Sequence, residues 1–509
     1  MKRAGHAPAW MPAARAWAFG AALPLVAGAV AVAGFAPFYV WQLPLAALVA
    51  LFLVWSRAPT RGAAALAGLA FGLGLFLAGV SWVYVSLHDF GGLPAWLAGL
   101  ATLLLCTYLA LFPALAGWLT LRLAGTTGTR LALAPAAFVS CEWLRGWLFT
   151  GFPWLTLGTS QVPASPFAGY MPLVGAFGTT LVLGCVAALV VAAFSRSAFA
   201  PRLRLVFGVG FVALYAGGIA LQSVEWTRPA GPPITVALLQ GNIPQEMKWR
   251  DDVRAKTLED YRRMVLAANA QIVVLPETAL PAFLDQLPQQ YLDGLRADAK
   301  EAGKEIVMGT VEREGRGRTE KYWNSVLVLT ASKYVAYRKR HLVPFGEYVP
   351  WGFHWFVDMM NIPMGDFELG DRKQPALPVD GTSFGVAICY EDLFGEEVID
   401  ALPEAQVLLN VSNDAWFGHS WAAEQHLQAS QARALETGRW MVRATNTGAT
   451  AAVDEHGNVA ARLPEFKRGI LNATVEPRMG LTPFARMGNA GALVLALVLA
   501  VAAAWRARR

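Results

Sequence analysis

Acidic residues are almost missing from two long stretches of this sequence. Of its 36 Asp and Glu residues, only Asp89 and Glu142 precede residue 225, and none follows Glu476. Stretches this poor in carboxylates exclude an ordinary water-facing surface there. Cysteine is also scarce, with four residues in 509. Cys106, Cys141 and Cys185 fall in apolar runs, which leaves Cys389 alone in the charged segment 225–476. That segment therefore cannot form an internal disulfide, and a lone thiol in an oxidising compartment is a candidate reagent. Zinc-type Cys/His spacing, a P-loop and a strand-linked GxGxxG are all lacking, so no metal or cofactor is expected. "GLAFGLG" at 68–74 is small-residue packing inside an apolar run.

What is present is apolar. Hydrophobic residues make up 55% of the chain, and the mean hydropathy is +0.40. Runs at 16–33, 38–55, 62–86, 93–121, 131–150, 167–194, 203–222 and 488–505 approach or exceed the length of a transmembrane helix. Arginine and lysine mark one side of them. Lys2, Arg3 and Arg15 precede the first run; Arg57 and Arg61 follow the second, Arg122 and Arg130 the fourth, and Arg196, Arg202 and Arg204 the sixth. The intervening loops near 34–37, 87–92 and 151–166 carry neither Lys nor Arg. The positive-inside rule then puts both termini in the cytoplasm and the charged segment on the opposite side. These basic loops also account for much of the +6 net charge, so no nucleic-acid partner is expected. Three parts are expected: 1–224 with seven transmembrane helices, 225–482 as an exported catalytic domain, and 483–509 with an eighth helix and a basic tail.

The charged segment alternates apolar strands with polar helices. Strands are expected at 234–243, 271–277, 305–312, 324–330, 334–341, 384–389, 405–414, 439–446 and 449–459, with helices at 251–269, 286–302, 394–403 and 421–437. This alternation predicts an α/β layered domain, its sheets covered by helices. Three strand ends carry reactive residues: Glu277 ends "QIVVLPE", Lys339 lies in "YRKRH" and Cys389 ends "FGVAIC". Ligand sites of α/β folds form just beyond strand carboxyl ends. A carboxylate can take a thiol proton, and an ammonium favours both thiolate and oxyanion. The helix expected after Cys389 adds the positive end of its dipole. A Cys–His pairing with His341, His419 or His426 is the second arrangement available.

Those strand ends, with "QGNIPQEMKW" (240–249), "LPETALP" (275–281), "KRHLVPFGEYVP" (339–350), "ICYED" (388–392) and "SNDAWFG" (412–418), resemble the nitrilase superfamily. More specifically, the whole chain resembles its membrane-anchored apolipoprotein N-acyltransferase family. The resemblance implies a multi-span helical domain plus an exported nitrilase-like αββα sandwich. It also implies a monomer in a bacterial inner membrane, with the catalytic domain in the periplasm. An acyl chain would pass from a phospholipid, through a thioester on Cys389, to the α-amine of an apolipoprotein's diacylglyceryl cysteine. Glu277 matches the general base, Lys339 the oxyanion-stabilising group, and Glu347 a second essential acid. Tyr390 and Glu391 match residues needed beside the nucleophile, while Trp249 and Trp416 match aromatics near the entrance.

A membrane-tethered amidohydrolase shares the same triad. A transporter with an accessory domain would instead show repeated topology and polar spans. "WGFHWFVDMM" (351–360) is expected to dip into the membrane interface. Glu142 and Arg145, three apart in the fifth run, are expected on one helix face as an interfacial pair.

Overall fold

The computed structural model describes residues 10–248, 250–315, 317–331, 334–350, 352 and 366–508. Trp249 and, apart from Gly352, the segment 351–360 lie outside the described residues. Each apolar run forms a helix: α1 Trp10–Ala31, α2 Gln42–Arg57, α3 Arg61–Gly79, α4 Ala95–Leu123, α5 Thr127–Arg145, α6 Met171–Phe194, α7 Pro201–Gln222 and, at the far end, Ala490–Arg508. The stretches holding α3, α4, α6 and α7 are long and apolar enough to cross a membrane. Two runs end well before the expected boundary. The run 62–86 breaks after Gly79, and its last residues form a short turn and a π-helical loop, Ser86–Phe90. The fifth run ends at Arg145, because Arg145 turns back to bind the loop beyond it.

Glu142 and Arg145 are both buried and lie 3.9 Å apart. Glu142 Oε1 accepts from the Leu157 amide at 2.9 Å. Arg145 donates to the carbonyls of Phe152 and, at 2.8 Å, Trp154. The pair thus fixes the loop 151–166, satisfying backbone groups that its one short 3₁₀ turn, Leu157–Gln161, leaves unpaired.

The charged segment builds two six-stranded sheets. A short pair, β1 Arg228–Pro229 with β14 Arg478–Met479, joins the two ends of the segment. One sheet, in the order β13-β2-β3-β4-β5-β6, contains β2 Ile234–Gln240, β3 Ile272–Leu275, β4 Glu305–Glu314, β5 Lys321–Val328, β6 Ala336–Arg338 and β13 Gly469–Val475. The other, in the order β12-β11-β10-β9-β8-β7, contains β7 Leu377–Val379, β8 Thr382–Ile388, β9 Val407–Ser412, β10 Met441–Thr445, β11 Ala451–Val453 and β12 Val459–Arg462.

Strand β3 shows why the layers form. Ile272 and Val274 face the opposing sheet with Val407, Leu409 and Val411, whereas Val273 and Leu275 pack beneath outer helices. A strand buried on both faces reads as an unbroken apolar run. Helices α8 Asp251–Ala267 and α9 Gln289–Glu301 cover one sheet, and α10 Ala422–Thr437 covers the other, giving an αββα sandwich.

Strand β13 was not expected; it extends the β2 edge antiparallel. "GILNATV" is only partly buried, so its pattern is weak. The single strand expected over 449–459 is a hairpin, β11 and β12, turning at Asp454–Asn458. Helix α10 is buried along nearly its whole length although its sequence is polar, because the membrane domain covers it. Gln428 pairs with Ala36 and Val162, Tyr39 donates to Gln431, and the Ala176 amide donates to Glu436.

Candidate active site

Glu277 follows β3 and is buried at 7% exposure. Its backbone packs against β4 at Gly309, where a Cβ would stand 2.5 Å from the Pro276 carbonyl oxygen. Glu277 Oε1 accepts from Asn324 Nδ2 at 2.7 Å and lies 3.9 Å from Lys339 Nζ. Lys339 follows β6, and its amide donates to the Asn324 carbonyl at 2.8 Å. Its Nζ lies 2.8 Å from both carboxylate oxygens of Glu347. Asn324 Nδ2 also reaches Glu347 Oε1 at 3.0 Å, so one amide ties the two acids together. Burial opposes the Lys339 charge, but Glu347, Glu277 and Cys389 outweigh it and hold the ammonium above the ordinary lysine range.

Cys389 ends β8 on the facing sheet, with φ +53, in the left-handed region that non-glycine residues avoid. A 3₁₀ turn, Cys389–Leu393, follows. The helix expected at 394–403 shrinks to Gly395–Val398, too short to contribute a useful dipole at the sulfur. Burial, reinforced by Glu277, pushes the Cys389 thiol well above its ordinary value despite Lys339. These surroundings disfavour the thiolate in the resting protein.

The strained turn is held from both sides. Glu391 Oε2 accepts from Ile388 N at 2.6 Å and Tyr337 Oη at 3.0 Å; Oε1 accepts from Arg340 N at 2.7 Å and His341 N at 3.1 Å. It joins the strand of Cys389 to the loop carrying Lys339. Burial pushes its carboxyl up to about 7, opposed by the Ile388 amide, Lys339 and the Arg340 amide. Behind the turn, the Cys389 carbonyl accepts from Asn410 Nδ2 at 3.0 Å and lies 3.1 Å from His426 Nε2. His426 sits between Asp392, at 2.8 Å, and Asp414, at 3.1 Å. Arg443 bridges the same two aspartates at 3.2 and 2.9 Å. All four side chains are at most 1% exposed.

Of the residues singled out in the sequence, Glu277, Lys339, Glu347, Cys389 and Glu391 come together here. Tyr390 faces the membrane domain, donating to the Gly151 carbonyl at 3.0 Å. Trp416 is 43% exposed beside Phe90, and its carbonyl accepts from Ser86. The Cys–His pairing finds no support. His341 stacks on Phe394 and meets Glu397, His419 lies against Phe466, and His426 meets the Cys389 carbonyl, not its sulfur.

Asn324, Asn410, Arg443 and Lys248 did not emerge as site residues from the sequence. Lys248, 3% exposed, donates from Nζ to the Glu277 carbonyl at 3.3 Å. The only signal for it was its place in "QGNIPQEMKW".

The αββα sandwich that carries these side chains is that of the carbon-nitrogen hydrolase class, and the family model of that description, "Carbon-nitrogen hydrolase", matches residues 235–484. The model for the apolipoprotein N-acyltransferase N-terminal domain matches residues 27–189. The apolipoprotein N-acyltransferase of Nitrosomonas europaea is 46% identical over 474 residues, covering 92% of this chain and 94% of the relative. That of Ralstonia nicotianae is 45% identical over 501 residues, covering 96% and 94% respectively. That of Chromobacterium violaceum is 44% identical, covering 95% and 93%. The chain belongs to the apolipoprotein N-acyltransferase family.

Proposed function

We propose that this chain transfers an acyl chain from a phospholipid, through a thioester on Cys389, to the α-amine of an apolipoprotein's N-terminal S-diacylglyceryl cysteine. It does so as a monomer in a bacterial inner membrane, with eight helices crossing, both termini cytoplasmic and residues 225–482 in the periplasm. The observation that carries the reading is the buried Glu277–Lys339–Glu347 cluster facing Cys389, in a domain whose helix α10 is docked on the membrane helices. Keeping an acyl chain out of water is worth about 0.8 kcal/mol per methylene, so a lipid donor reacts at the membrane.

In the first half-reaction the Cys389 sulfur attacks the ester carbonyl, and its proton passes to the Glu277 carboxylate. Lys339, locked by Glu347, faces the oxyanion of the tetrahedral adduct. Collapse breaks the ester C–O bond, and the departing alkoxide takes the proton from Glu277 as lysophospholipid leaves. In the second, an amine attacks the thioester carbonyl and the thiolate departs, reprotonated through Glu277. Mass spectrometry after incubation with phospholipid tests this. An acyl-sized addition at Cys389, absent in Cys389→Ser and discharged by a lipoprotein-like peptide amine, is expected. Absence of that adduct would overturn the reading, whereas discharge to water at the same rate without amine would make the chain a hydrolase.

A further inference from the structure

The second half-reaction has a proton that the triad does not handle. An N-terminal α-amine has an ordinary pKa of about 7.7–8.0, so much of it arrives as an ammonium with no lone pair. Forming the amide removes two protons from that nitrogen. One returns to the sulfur through Glu277, which leaves the first without an acceptor.

The site contains a second buried lysine whose surroundings are opposite to those of Lys339. Lys339 is clamped by Glu347 at 2.8 Å, with Glu277 at 3.9 Å. Lys248 is equally enclosed, yet among the described residues no carboxylate oxygen stands within ion-pair distance of its Nζ. Its hydrogen bond goes to a main-chain carbonyl, that of Glu277, at 3.3 Å. A buried ammonium without a counter-ion is costly, so this enclosure makes the proton easier to lose and the neutral amine, with its lone pair, more accessible. Two like groups driven apart by their environments divide acid and base roles between them.

We propose that Lys248 removes the first proton from the acceptor's α-ammonium, making it the nucleophile that discharges the thioester. This rests on the acyl-transfer reading above. The balance is simple. R–NH₃⁺ and neutral Lys248 give R–NH₂ and the Lys248 ammonium. The free amine then forms the C–N bond as the C–S bond breaks, its second proton reaches sulfur through Glu277, and Lys248 returns its proton to solvent once the product leaves. Burial lowers the Lys248 ammonium to about 8 against the opposing pull of Glu277 and Cys389, close to the value of the amine it would serve. Lys339, with Glu347 bound to it, Asp414 and Arg443 also act on Cys389.

The test separates the half-reactions in the full-length enzyme, using Lys248→Met and Lys248→Arg. Thioester formation from phospholipid is measured in the same variants, so that discharge is read relative to it, and thermal unfolding reports folding. Discharge of the preformed thioester to a peptide α-amine at pH 7 should slow by about 10-fold, the factor by which that amine is protonated there. It should recover as pH rises past 9, where the peptide amine is neutral unaided. Hydroxylamine, already neutral at pH 7, should discharge variant and parent thioesters alike. Equal slowing with hydroxylamine, equal slowing of thioester formation, or the parent's pH profile in Lys248→Met would each overturn the role of Lys248. A parent that forms no thioester would instead overturn the acyl-transfer reading beneath it.

Discussion

Glu391→Gln separates a residue that holds the site from one that touches substrate. The carboxylate serves four donors, Ile388 N and Tyr337 Oη on one oxygen, Arg340 N and His341 N on the other. Glutamine has a single acceptor oxygen, so its NH₂ must face one of these pairs. Each buried donor left without an acceptor costs about 1–3 kcal/mol, so two cost about 2–6 kcal/mol. The lower part of that range applies if the amide faces Ile388 and Tyr337, because the tyrosine hydroxyl can rotate to accept. Against a domain stability of about 5–15 kcal/mol this is a substantial loss. The functional cost follows from geometry, because Glu391 spans the strand of Cys389 and the loop of Lys339. A displacement of about 1 Å between them lowers the rate about 100-fold. Denaturant unfolding and steady-state kinetics on phospholipid should show lower stability and lower kcat, with KM unchanged. A raised KM with kcat and stability intact would refute the argument and place Glu391 on the substrate.

The thiol environment makes its own prediction. Alkylation of Cys389 by iodoacetamide should be slower than that of an exposed thiol and should keep rising above pH 9; a plateau below pH 8 would contradict a thiol raised by burial. His426→Leu leaves Asp392 and Asp414 short of a partner at 2.8 and 3.1 Å and should cost about 3–5 kcal/mol in unfolding measurements. An unchanged unfolding midpoint would show that Arg443 alone suffices for both aspartates. Arg145→Met should release the loop 151–166 and speed proteolysis there, with a stability loss of similar size because Glu142 is left buried. Undiminished protease resistance would mean that the Tyr390–Gly151 contact holds the loop without it.

Much of this protein was legible because two physical signals are strong and local. Apolar runs of membrane length and the placement of basic loops need no tertiary information, and helices do occupy all eight runs. Glu277 and Cys389 each close an apolar run at a strand end, where a reactive residue has little structural reason to be, and Lys339 directly follows a strand. Asn324 carried no such mark, because a polar residue within "KYWNSVLV" also fits a half-buried strand. Its importance arises only when β5 brings it between Glu277 and Glu347. The polarity of α10 likewise reads as a solvated face, and the membrane domain is what buries it.

The chain sequence by itself therefore determined the division into an apolar and a charged part, the layered α/β character of the latter, and the residue types able to perform acyl transfer. Those properties depend on composition and periodicity along the chain. The tertiary structure decided the ionisation state of each group. Lys248 and Lys339 are identical side chains, and only the carboxylates folded against one and withheld from the other set them apart. It also decided that the Cys389 thiol, on a strained turn, is held above its ordinary value, because burial and neighbouring charge belong to the folded arrangement rather than to any residue.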